Sequence, residues 1–287
     1  MELSNRVNAM GHSPIRRFNK YAIEAEANGK KVYHLNIGQP DVETPACFME
    51  AVKDFDKKVV AYSESGGETV LQDAICRYFE RYDIHYDRSE ILVTNGGSEA
   101  LNMVFTAVVN PGEEAIIAEP FYTNYHTFIT AAGGKVVPVT TKAEDGYDFA
   151  KRDLIEAAIT PNTKCICCIN PGNPTGRVLT MDDMKLIGEI AKEHDLWIIA
   201  DEVYREFAYD DRKAVSFGIF AEQIVVGHDE RGDEFMFVGH DDSLVDEFVD
   251  DKLRLDHLRR DIFSVRRLEE VFDAFLEEEF SVFHISR

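Results

Sequence analysis

Basic residues are scarce in this chain of 287 residues. Its 31 lysines and arginines face 53 aspartates and glutamates, a formal charge of −22 with a pI near 4.8. Nucleic acids and anionic membranes both need a basic face, so neither is expected as a partner, and a small anionic ligand would have to be met by local donors. Long apolar runs are missing too. Met1 to Gly11 lacks the apolar core of a secretion signal, and no run approaches the ~18 residues of a membrane span, so the chain is expected in the cytoplasm. The five cysteines, an odd number in a chain this long, do not read as a disulfide framework. Cys165 and Cys168 have the gap of a metal or redox pair, but on a strand residues three apart point to opposite faces. Both are therefore expected in the core.

What is present is a globular composition, 45% apolar, in a length that buries one large core or a core with a small second domain. The pattern predicts helices over 18–27, 45–58 and 68–82, with Val70, Leu71, Ala74, Ile75 and Tyr78 on the buried face of the third, and short strands over 31–35 and 91–94. From residue 90 onward strands and helices alternate: a helix over 99–109, a strand over 115–118, a helix from about 119 to 132 and a strand over 135–139. A helix over 151–159, a strand over 164–169, a helix over 181–194 and a strand over 196–200 complete the series. This alternation predicts an α/β fold with a mostly parallel sheet covered by helices on both faces.

Several turns carry residues with chemistry. Asn95-Gly96-Gly97-Ser98 opens a helix, where unobstructed backbone N–H groups in line with the helix dipole suit an anion such as a phosphate; a plain tight turn has the same composition. Tyr122, within Glu119-Pro120-Phe121-Tyr122-Thr123-Asn124-Tyr125, offers a flat ring at a strand end against which a heterocycle can stack, although the prolyl segment is coherent as a helix start without any ligand. Asn36-Ile37-Gly38-Gln39-Pro40-Asp41 is a turn by its Gly and Pro, and Tyr62 lies in a loop. The chain is organised around residues 165–209: a strand, the turn Asn170-Pro171-Gly172-Asn173-Pro174-Thr175-Gly176, a helix, and a strand ending in Asp201-Glu202-Val203-Tyr204. Ligands of open α/β sheets bind outside the carboxyl ends of strands, which is where Asn173 and Asp201 fall. Taken alone, Asp201 also reads as a helix cap or an exposed turn.

Asn173-Pro174-Thr175-Gly176 followed by Asp201-Glu202-Val203-Tyr204 resembles the pyridoxal-phosphate-dependent aminotransferases of class I, with fold type I, over residues 1–223. The resemblance implies pyridoxal 5'-phosphate as cofactor, an amino acid and a 2-oxo acid as substrates, and a homodimer. It implies that Gly96, Gly97 and Ser98 cradle the phosphate, joined by Tyr62 from the second subunit. Tyr122 would stack on the ring, with Asn124 matching as its partner, Asn173 and Tyr204 would bond the ring hydroxyl, and Asp201 would hold the ring nitrogen protonated. Gly38 matches a glycine lining the substrate carboxylate pocket. The domains expected are an N-terminal arm and small-domain segment over 1–40, a cofactor-binding large domain over 41–223, and an acidic, helical tail over 224–287.

The family's Schiff-base lysine lies about three dozen residues beyond the aspartate, usually as Ser-x-x-Lys. Here that count reaches Arg231 to Phe237, where there is no lysine; Lys213 comes too early, and Lys252 comes late, behind Asp250-Asp251 instead of a serine. The family's phosphate-binding and substrate-binding arginines have no assigned counterpart. From Ile224 the sequence also loses Pro, Thr, Asn, Gln, Cys, Tyr and Trp altogether, and Val226-Gly227-His228-Asp229 recurs as Val238-Gly239-His240-Asp241. The two His-Asp pairs read as solvated acidic surface rather than a metal site. Val265, Leu268, Phe272 and Phe275 share a helical face, predicting tail helices that pack on the body or a partner. Three readings follow. The family's catalytic C-terminal part is truncated or replaced near Gln223, for instance by a frameshift; or Lys252 serves in an unusual geometry; or the chain is a non-catalytic, cofactor-binding dimer partner.

Overall fold

The computed structural model describes residues 3–10, 18–35, 38, 42–56, 58–209, 215–220 and 283–286, the last four as backbone. The first helices are α1 (Asn5–Ala9), α2 (Asn19–Ala27), α3 (Ala46–Lys53) and α4 (Thr69–Glu80). Neither α1 nor α2 buries any residue, and α3 buries only Ala51. On α4 the buried face is Gln72, Ala74, Ile75, Tyr78 and Phe79, so the predicted stripe is rotated: Val70 is exposed and Phe79 occupies the core. Ile84 and Ile91 close over this face as a satellite cluster.

The main body runs α5 (Gly97–Val108), β1 (Glu114–Glu119), α6 (Asn124–Ala132), β2 (Lys135–Thr140), α7 (Arg152–Ala158), β3 (Thr163–Ile169), α8 (Met181–Glu193) and β4 (Trp197–Asp201). Last comes β5 (Phe283–Ser286). One sheet has the order β2-β1-β3-β4-β5; the first four strands are parallel and β5 is antiparallel to β4. The chain passes from β1 outward to β2, then crosses back to β3 and β4 on the other side. The order therefore reverses between β1 and β3, and ligand crevices form at such a reversal.

Strand alternation sorts the core into two layers. Ala115, Ile117, Cys165, Cys167 and Ile199 face α5 and α6, where they meet Leu101, Val104, Phe105 and Ile129. Ile116, Ile166, Cys168, Ile198 and Ala200 face α7 and α8, where they meet Ile155, Met184, Ile187 and Ile190. Each fully buried isoleucine contributes about 1.5–3 kcal/mol relative to an exposed one, so both faces of the sheet are held chiefly by this packing. Cys165 and Cys168 are thus core residues on opposite faces, as the period of a strand requires. Thr180 and Asp183 form a reciprocal capping box that fixes where α8 starts. Gly134 lies where an added Cβ would come within 2.6 Å of Val109 Cγ1, so α6 returns to β2 against the end of α5 only with glycine there.

Three expectations differ from the structure. Residues 91–94 are extended but form no strand: Val93 N–H donates to Gly66 O at 2.9 Å, and no neighbouring strand continues the pairing. Residues 31–35 also form none, and Leu35 is 95% exposed. In both cases β propensity without a partner edge does not make a sheet. The helix predicted from about 119 begins only at Asn124. In the tail, the predicted helical face of Val265, Leu268, Phe272 and Phe275 lies outside the described residues, as does Lys252; what is described there is a strand, β5, along the β4 edge.

Candidate active site

The carboxyl ends of β1, β3 and β4 and the N-terminus of α5 are the places where the sequence puts its chemistry. Gly96 precedes α5 with φ +79° and ψ 167°, a backbone conformation open to glycine, while an added Cβ would meet no atom within 4 Å. Glycine is required there by the backbone angle and not by crowding. Among the described residues no side chain caps the helix, and Glu99 accepts from Asn95 N–H at 2.6 Å. Such a helix end is suited to an anion.

Asp201 is the last residue of β4 and stands opposite Ile169 of β3. Only 8% of it is exposed. Tyr125 Oη donates to its Oδ2 at 2.6 Å, and Val203 N–H donates to its Oδ1 at 3.1 Å. Burial pushes the Asp201 carboxyl above the ordinary carboxylate range, and these two donors work against that rise. Tyr125, 1% exposed, is itself driven well up by burial and by the carboxylate it serves. No motif marks Tyr125 in the sequence. Its signal was its position three residues after Tyr122, on the side of α6 that faces the sheet.

The turn after β3 is held from inside. Asn170 is fully buried; its Oδ1 accepts from Leu179 N–H at 2.9 Å and its Nδ2 donates to Val215 O at 3.0 Å. Gly172 N–H donates to Arg177 O at 2.8 Å, and a Cβ at Gly172 would come within 2.7 Å of Thr175 Oγ1. This presents Asn173, whose Nδ2 donates to Tyr204 Oη at 3.4 Å. Tyr122 lies half-buried beside the α5 and α6 layer and accepts from Asn124 Nδ2 at 2.5 Å. Between β1 and β3 a cavity of about 30 Å³, bordered by Ala118, Ile169, Asn173 and Arg177, has room for roughly two water molecules.

The loop that carries Tyr204 is clamped by Glu202, which lies in the motif without an assigned role, and by Arg205, which no motif marks. Glu202 and Arg205 form an ion pair at 3.1 Å with side chains 1% and 4% exposed. Glu202 Oε1 accepts from Phe217 N–H at 2.8 Å. The Arg205 guanidinium lies over the rings of Tyr78, Phe79 and Tyr82, and the Tyr78 and Tyr82 hydroxyls donate to Glu206. The satellite layer on α4 is thereby tied to the loop after β4.

The structure brings Asn173 and Tyr204 into contact and sets Asp201 at the end of the neighbouring strand. Tyr62 is 93% exposed and makes no hydrogen bond among the described residues, and Gly38 is exposed with no atom within 4 Å of where a Cβ would stand. Among the described residues the remaining cluster with metal-ligating groups is the exposed Glu156, Glu193 and His194, which already surrounds Arg152 with ion pairs to both glutamates. No helix among the described residues is long and apolar enough to cross a membrane.

Known proteins are similar to this chain. The profile of the family "Aminotransferase class I and II" matches residues 30–238, a span that begins later and ends later than the motifs alone suggest. A putative aminotransferase of Bacillus subtilis, YugH, is 38% identical over 212 residues, covering 73% of this chain and 54% of that protein. An aspartate aminotransferase of the same organism is 33% identical over 226 residues, covering 78% and 57%. Among solved structures, an aspartate aminotransferase of Thermus thermophilus, a single mutant, superposes with a TM-score of 0.71 at 32% identity, covering 75% of this chain and 56% of that one. The chain spans a little over half the length of these relatives. With the family profile matched across most of the chain and the parallel sheet superposing on solved members, this chain belongs to the class I and II aminotransferases.

Proposed function

We propose that this chain binds pyridoxal 5'-phosphate and is the cofactor-binding part of an aminotransferase that moves an amino group between an amino acid and a 2-oxo acid. The observation that carries the reading is Asp201, a carboxylate nearly buried at a strand end whose hydrogen-bond donors among the described residues are both neutral. A buried charge is costly unless paired, and a protonated pyridine nitrogen would pair it. The uncapped glycine start of α5 fits the phosphate, and the half-buried ring of Tyr122 fits a stacked heterocycle.

When bound, the cofactor supplies an aldehyde for the amino group and a ring that accepts electrons. The chain's own residues would orient it. Gly97 and Ser98 amides, after the turn at Gly96, hold the phosphate oxygens; Asp201 keeps the proton on the ring nitrogen; Asn173 and Tyr204 hold the ring hydroxyl oxygen; Tyr122 covers one ring face. Gly38 borders the substrate carboxylate, and the exposed Tyr62 reaches the phosphate of a second copy in a homodimer. In this reading 1–40 is an arm and small-domain segment, 41–223 the cofactor-binding domain and 224–287 a separate tail.

No lysine of this chain stands at the family's spacing from Asp201, and none occurs between Lys213 and Lys252. The chain therefore binds cofactor without attaching it. A second reading, a dimer partner that contributes Tyr62 to an intact relative, is favoured by the exposure of that side chain. Incubation with pyridoxal phosphate, borohydride reduction and peptide mapping test both. Saturable binding that is weakened in Asp201→Ala and leaves no lysine labelled is the expected result. Specific label on one lysine, Lys252 included, would show that the chain attaches the cofactor through a displaced lysine, and absence of binding would overturn the proposal.

A further inference from the structure

We infer that Tyr125 is a positioning residue: its hydroxyl aims the Asp201 carboxylate and keeps it charged, and so makes the site prefer a ligand with a protonated aromatic nitrogen. The inference rests on the reading of Asp201 given above and assigns the residue on which that reading depends.

The geometry is tightly determined. Tyr125 stands in the first turn of α6, 1% exposed, with its ring edge-on to Phe105 at 6.2 Å and to Phe128 at 6.4 Å. Packed on both sides, the ring has no room to swing its hydroxyl away from Asp201 Oδ2. Val203 N–H fixes the other oxygen. With one donor on each oxygen, the plane of the carboxylate is set, and its remaining lone pairs are left for a ligand.

The same hydroxyl decides the charge. Among the described residues the titratable groups that face Asp201 are Tyr125 from α6, the Cys167 thiol from β3, and Glu202 next along the chain. Cys167 and Glu202 offer it no compensation: burial holds the thiol neutral, and Glu202 is committed to Arg205. β5 lies alongside as backbone, with Phe283 opposite Asp201. Against burial, the ionised form is thus supported by two hydrogen bonds, and the one from Tyr125 is the shorter. Without it the carboxyl would hold its proton to higher pH, and its attraction for a cationic ring would weaken.

The test uses the full chain and two probes: pyridoxal 5'-phosphate, and its analogue with a carbon in place of the ring nitrogen. The wild type is expected to bind the first more tightly. Tyr125→Phe should lose roughly ten- to a hundredfold of that preference at neutral pH, the scale of a lost hydrogen bond to a charged group, and regain part of it as pH rises. Affinity for the carbon analogue should stay unchanged. A Tyr125→Phe protein that folds as the wild type by circular dichroism and keeps the full preference would overturn the inference. If neither the wild type nor Asp201→Asn distinguishes the two probes, the proposed role of Asp201 itself fails. Should Tyr125→Phe not fold, the carbon-13 carboxyl resonance of Asp201 in the wild type, assigned with Asp201→Asn, decides. An ionised group at neutral pH supports the inference, and a protonated one overturns it.

Discussion

Replacing Arg205 by methionine should destabilise the chain by about 3–5 kcal/mol, because it leaves Glu202 as an uncompensated buried charge. The two side chains are 1% and 4% exposed and 3.1 Å apart, so solvent screening, which reduces surface pairs to almost nothing, does not apply. Methionine keeps an unbranched apolar stem against Tyr78, Phe79 and Tyr82, so the loss reports mainly the charge. The pH dependence identifies the cause. Burial already pushes the Glu202 carboxyl above its ordinary range, and removing Arg205 raises it further. A folded state that holds the proton more tightly than the unfolded one gains stability as pH falls from the folded pKa toward the unfolded value of about 4.3. The deficit of Arg205→Met should therefore be largest at neutral pH and shrink on acidification. In Glu202→Gln/Arg205→Met the amide still accepts from Phe217 N–H without carrying a charge, so most of the stability should return. Urea unfolding followed by circular dichroism at two pH values measures all three proteins. A loss below about 1 kcal/mol at neutral pH, or a gap that widens on acidification, would refute the account.

Other consequences are open to the same assays. Asp201→Asn should stabilise the cofactor-free chain at neutral pH, because the carboxyl's raised pKa means its contribution falls as pH rises above the unfolded value, while pyridoxal phosphate binding weakens; unchanged stability and unchanged binding together would contradict this. Gly96→Ala should cost about 1–3 kcal/mol from the backbone angle alone, since its methyl meets open space, and denaturant titration would show it. Asn170→Ala should cost roughly 1–3 kcal/mol for the buried Leu179 N–H left without its acceptor, with faster proteolysis within 170–179 as a second readout.

The sheet and its helices were legible because each element carries its own period and its own stops. Cys165 to Ile169 reads as a buried run and becomes a central strand, and Thr180 with Asp183 marks the start of α8 before any tertiary contact is known. Residues 91–94 and 31–35 misled the reading because strand propensity is local while a strand requires a partner, and the partner is set by topology. Val70 misled it because the apolar face of α4 is chosen by what packs on it, here Ile84 and Ile91 with the Arg205 loop. Of the candidate site, the motifs alone name Asn173 and Tyr204, which are in contact, and Asp201, which ends the neighbouring strand. They do not name Tyr125 and Arg205, since nothing in the spacing from 125 to 201, or from 78 to 205, foretells a contact that only folding creates.

Asp201 and Glu202 show why the site is where it is. Two acids in succession at the end of an apolar strand point to opposite sides, and both are buried enough for their carboxyls to be pushed up. Glu202 finds its counter-charge inside the chain, in Arg205, and its remaining oxygen takes the Phe217 amide. That pair holds the loop and leaves nothing for a ligand. Among the described residues Asp201 receives only neutral donors, one on each oxygen, at the end of its strand. A fold selected for stability alone would neutralise the second acid as it does the first, or replace it, because an unmatched buried carboxylate costs free energy in every cofactor-free molecule. The proposed function accounts for this difference between the two neighbours: among the described residues no counter-charge stands beside Asp201, and a bound cation would bring one.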